Sequence, residues 1–201
     1  MVYLKTHVYN LDITIRDIEV SDINTLTNYW HNNDSDYLRT LGVDLTKLAS
    51  EAETRQRFMS SIPDEGRSRD RATFVVLSGK DIMAYTNLHI KSVEEVYVHF
   101  HVLRLSPRHR AIAYRLFPAM IRIFFDSFAI AKLTMQTALA NQRINYFLQE
   151  FGLCPKQSYI SMPDGLARPG LFNVYEISRE FLTRLETQRP LFCGAFSEFT
   201  I

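Results

Sequence analysis

Apolar positions alternate most regularly over residues 94–105, where Val96, Val98, Phe100 and Val102 fall on one side and Glu95, Tyr97, His99, His101 and Leu103 on the other. A period of two predicts a strand with one more apolar face. Pro107 cannot donate to a sheet ladder, so this strand is expected to stop near Leu105. A basic, small-residue segment follows (Arg108, His109, Arg110, Ala111, Ala113), and then the period changes. Leu116, Phe117, Met120, Ile121, Phe124 and Phe128 recur at helical spacing, which predicts a helix of about five turns. Pro118 is expected near its start, or to bend it if the helix begins at Ala111.

The same reading places the other elements. A first strand is expected over 11–17, followed by a helix capped by Ser21 with Ile23, Leu26 and Trp30 inward. Residues 31–44 read as a polar connector able to line a pocket, and a second helix from Thr46 carries Leu48, Ala52, Met59 and Ile62 inward. Strands at 72–77 and 80–90, joined through Ser78 and Gly79, have hairpin composition. A short strand at 133–137 precedes a helix with Ile144, Phe147, Leu148 and Phe151 on one face and Gly152 as its stop. Strands near 156–161 and 171–177 and a helix capped by Ser178 complete the order. The chain shows no internal repeat.

A strand that turns into a helix N-terminus gathers unbonded N–H groups and the positive end of the helix dipole, an arrangement suited to phosphate. The 201 residues are enough for one domain with a full core, and no linker divides them. We therefore read one domain over 1–201, with a core over about 11–177 and an extension over 178–201. A net charge of +1 gives no global attraction to nucleic acid or membrane, so no nucleic-acid partner is expected, and a polyanion held by the local arginines should be small. Cys154 and Cys193 are too sparse for a disulfide framework or a zinc site and read as buried thiols in a reducing compartment. No segment has the unbroken apolar length of a membrane span, so the chain is expected to be cytoplasmic. The tail beyond 189, with Phe192, Phe196 and Phe199, should pack on the body or on a second subunit, which makes a homodimer through the tail an expectation.

The element order, the loop Arg108-His109-Arg110-Ala111-Ile112-Ala113 and the segment Asn141, Ile144, Leu148, Gly152, Leu153 together resemble the GNAT superfamily of acetyl-CoA-dependent N-acetyltransferases. The loop corresponds to the family's R/Q-x-x-G-x-G/A with Ala111 at the first Gly. The alternative register, starting at Arg110, would bring Arg115 to the last small position. The resemblance implies an α+β fold with a central mixed, mostly antiparallel sheet of about seven strands flanked by helices. It implies that the main chain of Val102, Leu103, Arg104 and Leu105 holds the pantetheine arm of acetyl-CoA, that residues 108–113 hold the pyrophosphate, and that Asn141 reaches the arm. Leu148 stands where many members carry a proton-donating Tyr, and Tyr146 faces elsewhere.

Acetyl transfer to an amine needs a base, because an alkylamine with a pKa of about 10.4 is mostly protonated at neutral pH. Glu95, His99 and His101 share one strand face, and histidine suits that pH best. His99 and His101 could also pair on a metal, but no third ligand stands nearby and no metal is expected. The expected partners are thus acetyl-CoA and a primary amine: a small molecule, an amino acid or a protein N-terminus. A GNAT-like module that binds acyl-CoA without turning it over is the alternative.

Overall fold

The computed structural model describes residues 1–8, 10–64, 70–92, 94, 96–103, 107–162 and 165–188, without the side chains of 107–110 and 113. Eight strands lie in one sheet: β1 (Val2–Val8), β2 (Leu11–Asp17), β3 (Arg71–Ser78), β4 (Asp81–Ile90), β5 (Val96–Val102), β6 (Lys132–Ala138), β7 (Gln157–Ser161) and β8 (Gly170–Ser178). Their order is β1-β2-β3-β4-β5-β6-β8-β7. Every neighbouring pair is antiparallel except β5 and β6, which are parallel. A parallel pair needs a crossover, and α4 (Pro107–Ser127) provides it.

Alternation along the strands builds two cores. On one face, Val96 and Val98 of β5 join Phe74, Leu133, Tyr175 and the inner stripe of α4, including Leu116, Phe117, Met120, Ile121 and Phe124. The helices α5 (Gln142–Glu150) and α6 (Arg179–Gln188) contribute Leu148, Leu182 and Leu185 to the same core. On the other face, α1 (Ile23–His31), α2 (Ser35–Thr40) and α3 (Glu51–Met59) pack Leu26, Trp30, Leu38 and Phe58 against Val75, Leu77, Ile82 and Tyr85.

Several expectations are corrected. A strand at the N-terminus, β1, pairs with β2 and makes the sheet eight strands, with Leu4 and Val8 in the core. Ser21 does not cap the first helix; a 3₁₀ turn over Val20–Asp22 opens it, and Asp22 reaches back to the Glu19 N–H at 2.8 Å. The connector 31–44 contains a short helix, α2, because the Asp34 side chain accepts the Asp36 N–H and caps it. The next helix starts at Glu51, not Thr46, behind a Ser50–Glu53 capping box, and it buries Thr54 and Phe58 while Ala52 and Met59 stay exposed. Cys154 is exposed; Cys193 and the tail 189–201 lie outside the described residues.

The largest change concerns α4. It begins at Pro107, the first-turn position that proline tolerates best, so residues 108–113 are its opening turns and not a loop before it. Pro118 is consequently interior, where its missing N–H removes one bond to a carbonyl four residues back.

Candidate active site

The β5 strand is paired on one side only for most of its length. With β4 it forms a full ladder from Ala84–Val102 to Ile90–Val96, whereas with β6 it registers at Tyr97–Thr134 alone. The Leu103 N–H donates to the Met83 carbonyl at 2.8 Å. Bonded residues alternate along an antiparallel ladder, so Leu103, His101 and His99 bond toward β4, while the main chains of Val102 and Phe100 face β6. Past Tyr97 no further ladder joins the two parallel strands among the described residues, which leaves a gap in the pairing along that edge of β5. The gap runs to the end of β5 at Val102, and α4, whose first N–H groups have no partner within the helix, begins shortly after at Pro107. A groove with main-chain donors along one wall and a helix dipole at its mouth suits a long ligand ending in an anion.

His101 lies on the α1 face in a set of rings. Tyr85 stacks on it at 4.6 Å between centroids, and Trp30 and Tyr29 meet it edge-on at 5.2 and 5.9 Å. The Trp30 indole N–H donates to the Tyr85 hydroxyl at 2.8 Å and locks the set. Desolvation among these rings, helped by nearby His99, lowers the His101 pKa to about 3. His99 is lowered too, by desolvation and then by His89, yet keeps exposed surface. The ordinary histidine pKa that favoured both rings as bases is therefore not the one found here. His101 stays neutral at neutral pH, and His99 is the one open to solvent. Glu95, Arg104 and Leu105 lie outside the described residues, as do the side chains of Arg108, His109, Arg110 and Ala113. Ile112 is buried in the core under α4, and Ala111 is half-buried.

This packing predicts an acid-labile fold. His101 binds its proton near pH 6.5 when unfolded and near pH 3 when folded, so its contribution is complete above pH 6.5 and is lost as pH falls toward 3. The loss is expected to be on the order of a few kcal/mol. Urea midpoints at pH 7.5 and pH 4.5 should differ clearly in the native chain and much less in His101→Gln; equal differences in both would remove His101 as the cause.

Two segments distant in sequence are joined beside the C-terminal end of β6. The Asp44 N–H donates to the Leu166 carbonyl at 2.7 Å and the Arg168 N–H to the Gly42 carbonyl at 2.8 Å, around a bridge between Val43 and Ala167. Gly42 has φ +85°, and a Cβ there would meet the Ala138 Cβ at 3.3 Å, so the strap lies directly on the end of β6. Asn141, just beyond, turns its amide toward the Leu41 carbonyl at 3.5 Å and makes no side-chain cap for α5. The sequence marks 31–44 as a connector able to line a pocket, and the bond between Gly42 and Arg168 supplies a contact it does not specify.

A buried polar cluster fixes the junction between β6 and α5. The Asn145 side-chain oxygen accepts from Thr137 at 2.7 Å and from Asn173 and Tyr175 at 2.9 Å. Its amide donates to the carbonyls of Ala138 at 2.9 Å and Asn141 at 2.8 Å. Leu148 is fully buried beneath α5 and Tyr146 is 62% exposed, so neither provides an acid to the gap. Among the described residues no three His, Cys, Asp or Glu side chains are grouped to hold a metal.

No protein-family model matches the chain, and no curated protein matches it in sequence. Solved structures do. RimJ of Mycobacterium smegmatis, in complex with CoA-disulfide, superposes with a TM-score of 0.71 at 13% identity, over 97% of this chain and 95% of its own. The spermidine N-acetyltransferase of Vibrio cholerae, in complex with CoA and spermine, gives 0.66 at 16% identity, over 85% and 98%. The RimL ribosomal L7/L12 α-N-protein acetyltransferase, in complex with CoA, gives 0.68 at 12% identity, over 87% and 97%. This chain has the fold of the GNAT acetyltransferases: a mixed, mostly antiparallel sheet, here of eight strands, flanked by helices. The resemblance read from its sequence holds at the level of that fold.

Proposed function

We propose that this chain is an acetyl-CoA-dependent N-acetyltransferase acting on a primary amine in a ternary complex. The observation that carries the reading is the gap between parallel β5 and β6, ending at the N-terminus of α4. The pantetheine arm lies in that gap along the main chain of Val102 and Leu103, continuing past Arg104 and Leu105, with Asn141 on the opposite strand end. The pyrophosphate meets the opening turns of α4, residues 108–113. The main-chain amide of Val102 faces the gap and polarises the thioester carbonyl as it is attacked.

The amine nitrogen bonds to that carbonyl carbon, the C–S bond breaks, and CoA leaves as thiolate. A thiol pKa of about 8.5 makes this leaving group adequate without the acid that Leu148 does not supply. The amine proton leaves through water to Glu95 or His99; His101, held neutral by its rings, shapes the face and takes no proton. Among the described residues no helix is long and apolar enough to cross a membrane, and an enzyme of this kind belongs where acetyl-CoA is made available, the cytoplasm.

Calorimetry with acetyl-CoA, paired with a thiol-release assay over a panel of amines, tests this reading. Saturable heat with release of CoA is expected. Heat without release would favour a binding or regulatory module, which the buried Leu148 also supports; no heat would refute the cofactor itself.

A further inference from the structure

A cleft of about 630 Å³ opens on the α1 face at the end of β5. That volume is typical of small-molecule pockets. Its floor is apolar, made by Leu77, Ile82 and Leu103. Thr25, Asn28 and Tyr29 form one wall and share a face of α1 by their spacing. The turn of the β3–β4 hairpin, with Lys80 and Asp81, forms the other wall.

The charges along this cleft cancel. Arg16 and Asp22 make a two-pronged pair at 2.7 and 2.9 Å, and both side chains are largely buried. Arg16 also donates to the Asp17 carbonyl at 2.9 Å, so the pair is satisfied within the protein. Lys80 and Asp81 offset one another on the opposite wall. A polycation would find no net negative field here, and a charged body would lose its hydration against Leu77, Ile82 and Leu103.

Leu103 belongs both to the cleft and to the end of the strand whose other edge faces the gap. Tyr29 lines the cleft and touches His101 with its ring edge, 5.9 Å between centroids. A ligand resting in the cleft thus ends beside the place where the thioester is put by the proposed function, on which this inference rests. We infer that the cleft is the acceptor pocket and takes an amphipathic monoamine, with an uncharged apolar body on the floor and hydrogen-bonding edges toward Asn28 and Thr25, in preference to a polyamine.

The test titrates phenethylamine and spermine into the protein saturated with CoA. Phenethylamine is expected to bind saturably and about tenfold or more tighter than spermine. Thr25 is exposed on α1, so Thr25→Arg should fold, fill the cleft and weaken phenethylamine about tenfold, whereas Thr25→Ala, which removes the wall hydroxyl without filling the cleft, should weaken it less than about threefold. CoA affinity should be the same in all three. Spermine binding as well as phenethylamine, or Thr25→Arg leaving the monoamine unaffected, overturns the inference. So does the absence of saturable binding by both amines in a protein that still binds CoA. Failure to bind CoA is a different result and refutes the functional reading instead.

Discussion

Arg108→Glu is expected to weaken acetyl-CoA binding about a hundredfold while leaving the fold as stable as before. The two halves of this result have different physical origins. Because α4 begins at Pro107, position 108 is second in the helix, where a carboxylate interacts favourably with the dipole by about 0.3–1 kcal/mol. The substitution should therefore not lower the melting temperature. For a diphosphate approaching the same N–H groups, the change replaces a cation by an anion and turns attraction into repulsion. A loss of about a hundredfold in affinity, near 2.7 kcal/mol, is the expected scale. Arg108→Gln should fall between the two. Native affinity in Arg108→Glu, measured by calorimetry on protein with an unchanged melting curve, would mean that the pyrophosphate is not at this helix end.

The legibility of the fold followed the periodicity of each segment. The stripe of α4 and the alternation of β5 are long and regular, and both elements stand where those patterns put them. The VYLKTHV strand is faint in the sequence because Thr6 and Val8 are its only inward groups after Leu4 and Lys5 breaks its apolar look, although its alternation is complete. The start of α4 is hard to see in the sequence because basic and small residues resemble a loop, while Pro107, at a first-turn position, serves equally well as the end of a strand.

The site was legible as a location and less so as chemistry. That a strand end and a helix start would meet could be seen within residues 94–113. The state of His101 could not, since the rings that desolvate it come from Tyr29, Trp30 and Tyr85, on other elements. A histidine pKa follows from what packs on the ring, and a single strand carries no record of that. The approach of Gly42 to Ala138 and the bonds between 42–44 and 166–168 are also long-range, so composition suggests only that 31–44 can line a pocket.

Asn145 is the residue whose importance the apolar stripe of α5 concealed, and its replacement should be the most damaging single change in the chain. Asn145→Leu nearly conserves volume but strands the donors of Thr137, Asn173 and Tyr175, while the carbonyls of Ala138 and Asn141 keep only the backbone N–H groups of Asn141 and Asn145. Asn173 is 5% exposed and Tyr175 fully buried, so water cannot easily replace the lost partner. A buried group left unpaired costs about 1–3 kcal/mol, and several at once put the expected loss at roughly 3–5 kcal/mol. For a chain of this size that corresponds to a fall in melting temperature of about 10 °C. Adding Asn173→Leu should cost less than the sum of the two single changes, because both break the same network. The junction held by Asn145 also carries Asn141, so acetyl-CoA affinity should drop in Asn145→Leu at temperatures where the protein remains folded. A melting temperature within about 2 °C of the native value would show that the cluster relaxes without cost, and that the end of β6 is held by packing alone.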